Sequence, residues 1–223
     1  MELTIIMPCY NEEDSIQKCI EQAKSFLERE NISGEILVIN DGSTDSSPKI
    51  ASAMGVWVQT IPHSGYGRAI REGILLAHGD YVIMGDCDGT YHFNQLMPFL
   101  RKFRAGYEIV IGNRINSSME KGALSILHRF GAKFLSFIAR KICRVNIQDY
   151  HCGLRGGKTS VLREMQLCTD GFEFATEMIM RSSGKRIGEV DIRYRRSTRK
   201  KDKSKLKPIS DGIRHLKYIL SYR

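Results

Sequence analysis

Apolar residues in the first half of the chain fall into short, nearly unbroken runs separated by stretches with helical spacing. The runs are "LTIIM" (Leu3–Met7), "EILVIN" (Glu35–Asn40), "VWVQTI" (Val56–Ile61), "YVIM" (Tyr81–Met84) and "EIVIG" (Glu108–Gly112). Between them the spacing predicts helices over 12–29, near Pro48, over 67–78 and over 94–104. Runs without polar alternation read as strands buried on both faces. Alternation of strand and helix then predicts an α/β fold, a mainly parallel, Rossmann-like sheet with helices on both faces.

The second half is less regular. Apolar positions in "ALSILHRFGAKFLSFIARKI" recur at helical spacing, while Arg129, Lys133 and Arg140 interrupt them. This predicts an amphipathic helix, packed on its own core or resting in a membrane interface, and excludes a span of roughly 20 apolar residues. After it come a loop "DYHCGLRGG", a helix in "FEFATEMIMRS", a strand "IGEVDIRY" and a final amphipathic helix "DGIRHLKYILSY". A length of 223 residues suits one domain spanning 1–223.

Charge sharpens this picture at one place. Of the net +9, the stretch Arg193–Lys207 carries +8, from nine basic residues and one acid. It is a local basic arm, suited to phosphate groups of a ligand or to an anionic membrane surface. Nucleic acid is disfavoured, because Tyr194 is the arm's one aromatic residue. Six cysteines without C-x-x-C pairs, and no signal peptide, read as free thiols of a cytoplasmic protein, peripherally associated with the membrane face.

In open parallel sheets the ligand lies outside the carboxyl ends of the strands. The first run ends in Pro8-Cys9-Tyr10-Asn11-Glu12, the second in Asn40-Asp41-Gly42, the fourth in Asp86-Cys87-Asp88 and the fifth in Gly112-Asn113-Arg114. A lone D-x-D is explained as well by a polar turn, but four such ends on one rim favour a site. Asp86 and Asp88 suit a divalent cation, Mg²⁺ or Mn²⁺, completed by phosphate oxygens. Cys87 between them offers backbone, since side chains alternate along a strand. Asp41 could accept from a base N–H, with Tyr10 stacked on that base. Gly65-Tyr66-Gly67 reads equally as a phosphate-facing turn or a tight turn. Neither a G-x-x-x-x-G-K-[ST] nor a G-x-G-x-x-G after the first strand is present.

"IIMPCYNEE", "VINDGSTDSS", "GYGRAIREGILLAHGDYVIMGDCDGTY", "IGNR", "DYHCGLRGG", "FEFATEMI" and "EVDIRY…SKL" follow one another in the order seen in family 2 glycosyltransferases of the GT-A fold. Over nearly its whole length the chain resembles the branch of dolichyl-phosphate mannose synthase and bacterial polyprenyl-phosphate glycosyltransferases. The resemblance implies a metal-dependent, inverting hexosyltransferase. It would move a sugar from a UDP- or GDP-sugar to a polyprenyl phosphate, dolichyl or undecaprenyl. A nucleotide-sugar half would span 1–115 and an acceptor-side half 116–223. Pro8, Tyr10, Glu12, Ile39, Asp41, Asp86, Cys87, Asp88 and Lys205 would meet the donor. Asp86, Asp88 and Arg114 would form the catalytic set, with the metal on Asp86 and Asp88. Arg129, Asp149, Arg155, Arg196 and Arg199 would face the acceptor.

The sequence also departs from its relatives. Its arm reads "RRSTRKKDKSKL" where they have a compact R-x-x-G-x-S-K-L, and Thr90 stands where some carry a metal-binding Gln. Many continue into membrane spans beyond the final helix. An acceptor phosphate, with a second pKa of roughly 6, arrives ionised and needs no general base. A glycan or lipid hydroxyl would need one, for which Glu173, Glu177 and Asp149 are the candidates. A nucleotidyltransferase is disfavoured by the acidic "PCYNEE" after the first strand, and the D-x-D and Arg114 count against a non-catalytic binding module.

Overall fold

A computed structural model describes residues 1–115, 138, 140–142, 145–199 and 208–221. Arg129, Lys205 and most of the amphipathic helix expected over 123–142 lie outside the described residues. The strands are β1 (Leu3–Cys9), β2 (Gly34–Asp41), β3 (Trp57–Ile61), β4 (Tyr81–Met84), β5 (Ile109–Asn113), β6 (Arg155–Lys158) and β7 (Ile187–Asp191). The helices are α1 (Ile16–Arg29), α2 (Ser47–Ala53), α3 (Tyr66–Leu76), α4 (Met97–Arg104), α5 (Thr159–Glu164), α6 (Phe174–Met180) and α7 (Pro208–Ser221). Strand order in the sheet is β3-β2-β1-β4-β6-β5-β7, parallel except that β6 runs against both of its neighbours.

Both faces of the sheet are covered, as the unbroken apolar runs require. A Cβ on Gly73 of α3 would stand 2.7 Å from Ile6 and 3.3 Å from Ile39, so the helix lies directly on that face. On the opposite face Phe103 of α4 stacks on Tyr81 at 5.0 Å, and Tyr81 pairs beside Leu3. Leu3 and Ile6 differ in parity along one strand, which puts α3 and α4 on opposite sides. Helix α1 buries Ile16, Cys19, Ile20, Ala23 and Phe26, the spacing of a single helical stripe.

Three departures from the expected elements matter for the site. Helix α1 begins at Ile16 rather than at residue 12, because Asn11 turns the chain in the left-handed region (φ 51°). Glu12 N then donates to Ser47 Oγ at 2.7 Å, fixing Glu12 at the rim. Strand β6 replaces the second half of the expected loop. Its Gly156 passes so near β4 that a Cβ would lie 2.2 Å from Val82 O. Strand β7 ends at Asp191 rather than Tyr194, and the chain there leaves the sheet and crosses the rim.

Five described cysteines are free thiols, as expected. Among the described residues no helix is long and apolar enough to cross a membrane.

Candidate active site

Because β6 runs against both β4 and β5, the carboxyl ends of β2, β1, β4 and β5 share one rim, in that spatial order. Asp41 therefore stands at one end, Tyr10 and Glu12 beside it, Asp86 and Asp88 next, and Arg114 at the other end.

At the first end Asp41 is buried, 4% exposed, and its carboxylate accepts from Ser64 N (2.7 Å) and Gly65 N (3.1 Å). Gly65 has φ 110°, a conformation that glycine adopts without strain. His63 completes this end. Its ring stacks on Tyr10 at 4.2 Å and 18°, and Nδ1 lies 2.9 Å from Asp41 Oδ2. A nitrogen heterocycle of the protein thus occupies the slot between an aromatic ring and a carboxylate. Nothing in the local sequence marks His63, since the arrangement exists only once β1, β2 and the turn after β3 meet.

In the middle, the two aspartates differ. Asp88 is buried, and its Oδ1 accepts from Thr90 Oγ1 (2.6 Å) and Thr90 N (3.1 Å). Thr90 therefore orients the carboxylate. Asp86 accepts from the Tyr66 hydroxyl, but its Oδ1 is shut off from solvent and has no hydrogen-bond partner. Burial chiefly, with the charge of Asp88, pushes the Asp86 carboxyl up to about 7, against the lowering effect of the Tyr66 bond. A buried carboxylate oxygen without a donor is costly unless a cation or ligand meets it. Among the described residues no three His, Cys, Asp or Glu side chains could hold an ion by themselves. The Asp86–Asp88 pair fits a cation that takes its remaining ligands from a substrate.

Arg199 of the basic arm reaches this point. Its Nε donates to Glu12 Oε2 (2.8 Å) and one terminal nitrogen to Glu12 Oε1 (2.5 Å), with that nitrogen 3.4 Å from Asp88 Oδ2. Expected on the acceptor side, Arg199 sits instead among the carboxylates of β1 and β4. Arg196 is exposed.

At the far end Arg114 and Asp149 form a fork, Nε to Oδ2 at 2.6 Å and the terminal nitrogen to Oδ1 at 2.8 Å. Burial would raise the Asp149 carboxyl, but the Arg114 charge and hydrogen bonds hold it below its ordinary value. Arg114 also lies over the Tyr194 ring at 5.4 Å. Behind them, Thr176 Oγ1 lies 2.7 Å from His215 Nδ1 and 3.3 Å from His151 Nε2, tying α7 to the loop of Asp149.

Several expected contacts take other forms. Arg155 is 1% exposed, and its guanidinium donates to the carbonyls of Tyr150, Cys152 and Ala175. It clamps the loop that carries Asp149 from within the core. The side chains of Ile39 and Cys87 are buried, leaving backbone as what they can offer. Pro8 uses its carbonyl to accept from Cys87 Sγ at 3.2 Å. Tyr66 joins the site through Asp86, and the Gly-Tyr-Gly pattern ahead of α3 was its signal in the sequence.

The glycosyl transferase family 2 model matches residues 4–166. Low-salt glycan biosynthesis hexosyltransferase Agl6 of Haloferax volcanii is 34% identical over 98% of the chain, which spans 53% of that protein. The chain thus spans about half the length of this relative. A dolichyl-phosphate hexose transferase of the same organism is 29% identical over 95% of the chain and 89% of its own length. Among solved structures, glucosyl-3-phosphoglycerate synthase from Mycobacterium tuberculosis, in complex with Mn²⁺ and UDP-glucose, superposes with a TM-score of 0.72. It is 19% identical, with 98% of this chain and 77% of that one covered. A family match over most of the chain, on this mostly parallel α/β sheet, shows that the protein belongs to glycosyl transferase family 2, with the GT-A fold.

Proposed function

We propose that the protein moves a hexose from a nucleotide diphosphate sugar to a polyprenyl phosphate at a membrane surface. The observation that carries this reading is the order of strand ends along the rim. A slot for a nitrogen heterocycle, a carboxylate pair with an unsatisfied oxygen and a forked arginine follow one another across β2, β1, β4 and β5. A nucleoside, a cation-bound diphosphate and a sugar would take these places in turn. The solved neighbour bound to Mn²⁺ and UDP-glucose, and the dolichyl-phosphate hexose transferase relative, support donor and acceptor.

Each group then has a task. Tyr10 and Asp41 orient the base, and Asp86 and Asp88 hold Mg²⁺ or Mn²⁺. Held there, the ion would supply positive charge against that developing on the leaving diphosphate. Thr90 and Tyr66 fix the two carboxylates, so little reorganisation accompanies bond breaking. Arg114, aimed by Asp149, faces the sugar and acceptor side, where guanidinium groups offset repulsion between two phosphate-bearing substrates. The reading is direct displacement at the anomeric carbon, with inversion.

A phosphate acceptor also accounts for how the nearby carboxylates are used. Asp149 is spent on Arg114. Glu177 accepts from Thr169 Oγ1 (2.6 Å) and from the Cys168 and Thr169 amides (both 2.9 Å), so it is structural as well. Glu173 alone of the three retains a buried oxygen without a partner, and a hydroxyl acceptor would depend on it.

The test pairs the purified chain with UDP-glucose, UDP-GlcNAc or GDP-mannose and a short polyprenyl phosphate, with and without Mg²⁺ or Mn²⁺. Metal-dependent glycosylation of the lipid phosphate is the expected result. Donor hydrolysis without any lipid product would remove the acceptor assignment and leave the donor site.

A further inference from the structure

After β7 the chain does not drift away from the rim. Arg195 N donates to Thr90 O (3.0 Å), and Thr198 N to Asp88 O (3.2 Å). Ser197 Oγ donates to the same Asp88 carbonyl at 3.1 Å. Residues 195–199 are thus hydrogen-bonded onto the D-x-D turn itself. The fit depends on Gly89, whose φ is 83° and where a Cβ would lie 2.4 Å from Thr198 Oγ1.

This docking delivers one charge. The Arg199 side chain is 13% exposed, forks onto Glu12 and stands 3.4 Å from Asp88 Oδ2. It therefore neutralises buried carboxylates that would otherwise repel one another. A divalent ion held by Asp88 Oδ2 would lie against that guanidinium, and two cations cannot share the oxygen at such range without strong repulsion. Unlike Arg114, Arg199 is carried by a segment outside the sheet, held on mainly by hydrogen bonds to two carbonyls. Both the reason to leave and the freedom to leave are present.

We propose that Arg199 is an exchangeable counter-cation of the donor site. In the free protein its guanidinium lies between Glu12 and Asp88 and supplies the positive charge that the divalent ion would bring to Asp88. Loading the ion with its diphosphate displaces it, and the freed guanidinium takes the phosphate oxygens as its new partner. The proposal rests on the donor-site reading above. It makes Arg199 a positioning residue for the donor and couples ion binding to nucleotide binding. Ion alone repels the arginine from Asp88 and offers it nothing new, whereas ion with diphosphate supplies a partner, so each ligand strengthens the other.

The experiment is a titration of the full chain with Mn²⁺, following free ion by electron paramagnetic resonance, alone and with UDP or GDP. Wild type, Arg199→Gln and Arg199→Lys are compared. Arg199→Gln should bind Mn²⁺ alone about ten- to hundredfold more tightly than wild type and lose most of the nucleotide coupling. Arg199→Lys should gain less, since an ammonium keeps the charge but not the fork. If nucleotide recruits Mn²⁺ to wild type yet Arg199→Gln binds the ion alone no more tightly, the exchange is overturned and the donor site stands. If nucleotide recruits Mn²⁺ to none of the three, the donor-site reading falls and the exchange with it.

Discussion

Two arginine–carboxylate forks stand on one rim, and they are built differently. Arg114 and Asp149 show side-chain exposures of 10% and 3%, and both partners are pinned from behind. Arg114 follows directly on β5, while the Asp149 loop is clamped by Arg155 and backed by the histidine cluster. Arg199 and Glu12 show 13% and 5% and make the same bidentate contact, but Arg199 arrives on a strap laid over the D-x-D turn. The same chemistry is backed by the sheet and a clamped loop at the β5 end of the rim, and is carried by a docked strap at the β1–β4 end. What separates them is the covalent and packing support behind each partner, not the ion pair.

That difference is breakable by mutation. Asp149→Ala would remove the bidentate carboxylate from a buried Arg114 and should cost about 3–5 kcal/mol in urea unfolding. Arg199→Ala should cost less than that, and the cost should shrink further in Mn²⁺, because an ion from solution can take its place. Equal costs would erase the distinction between the two forks.

Acid sharpens the contrast from the pinned side. Burial, aided by the Arg155 charge, pushes His215 from 6.5 down to about 4, and burial with His215 beside it lowers His151. A histidine depressed in the folded state contributes stability that is whole above about pH 6.5 and lost as pH falls toward 4. For His215 the loss amounts to about 3 kcal/mol. His215→Gln should flatten the stability profile over that window by about one proton, with His151 supplying the remaining slope. An unchanged profile would mean that α7 is not tied to the Asp149 loop through this ring.

A smaller effect probes the removable occupants again. His63 holds the slot between Tyr10 and Asp41 with a side chain that is 57% exposed. If the base must take both contacts from it, His63→Ala should tighten UMP or GMP binding about three- to tenfold by calorimetry. Weaker binding would instead make His63 a stacking partner of the base.

How much of this was legible follows the same divide. Strands β1, β2, β4 and β5 were readable because burial on both faces leaves unbroken apolar runs, and their polar ends were readable because the chain must leave a buried strand somewhere. Strand β6 was not, since Gly156 and Gly157 give a turn signal, and the need for glycine there comes from the Val82 carbonyl across the sheet. Arg155 was expected to face the acceptor because the family resemblance carried it there, and its burial, with a guanidinium that meets three carbonyls, left no mark in the local sequence. His63 and the Arg199–Glu12 contact link positions 187 residues apart in the second case, and no local pattern records such a meeting. The D-x-D, by contrast, showed itself at two residues' spacing. Its internal asymmetry did not, because Thr90 bonds one oxygen of Asp88 while burial leaves an oxygen of Asp86 without a donor.

The smallest expected effect discriminates between acceptors. Glu173 heads α6 with a buried Oε2 that has no partner, beside the loop where Phe172 stacks on Tyr66 at 5.1 Å. A phosphate acceptor is already ionised, so Glu173→Gln should change the transfer rate less than about threefold and leave its pH profile in place. A hydroxyl acceptor would need that carboxylate as a base, and the same substitution would then lower the rate about a hundredfold or more. The unsatisfied oxygen makes this worth measuring, because Glu173 follows Phe172, whose ring stacks on Tyr66, the residue that bonds Asp86. If the large loss were found, the acceptor end would contain a working base as well as a pin, and the polyprenyl phosphate would give way to a hydroxyl.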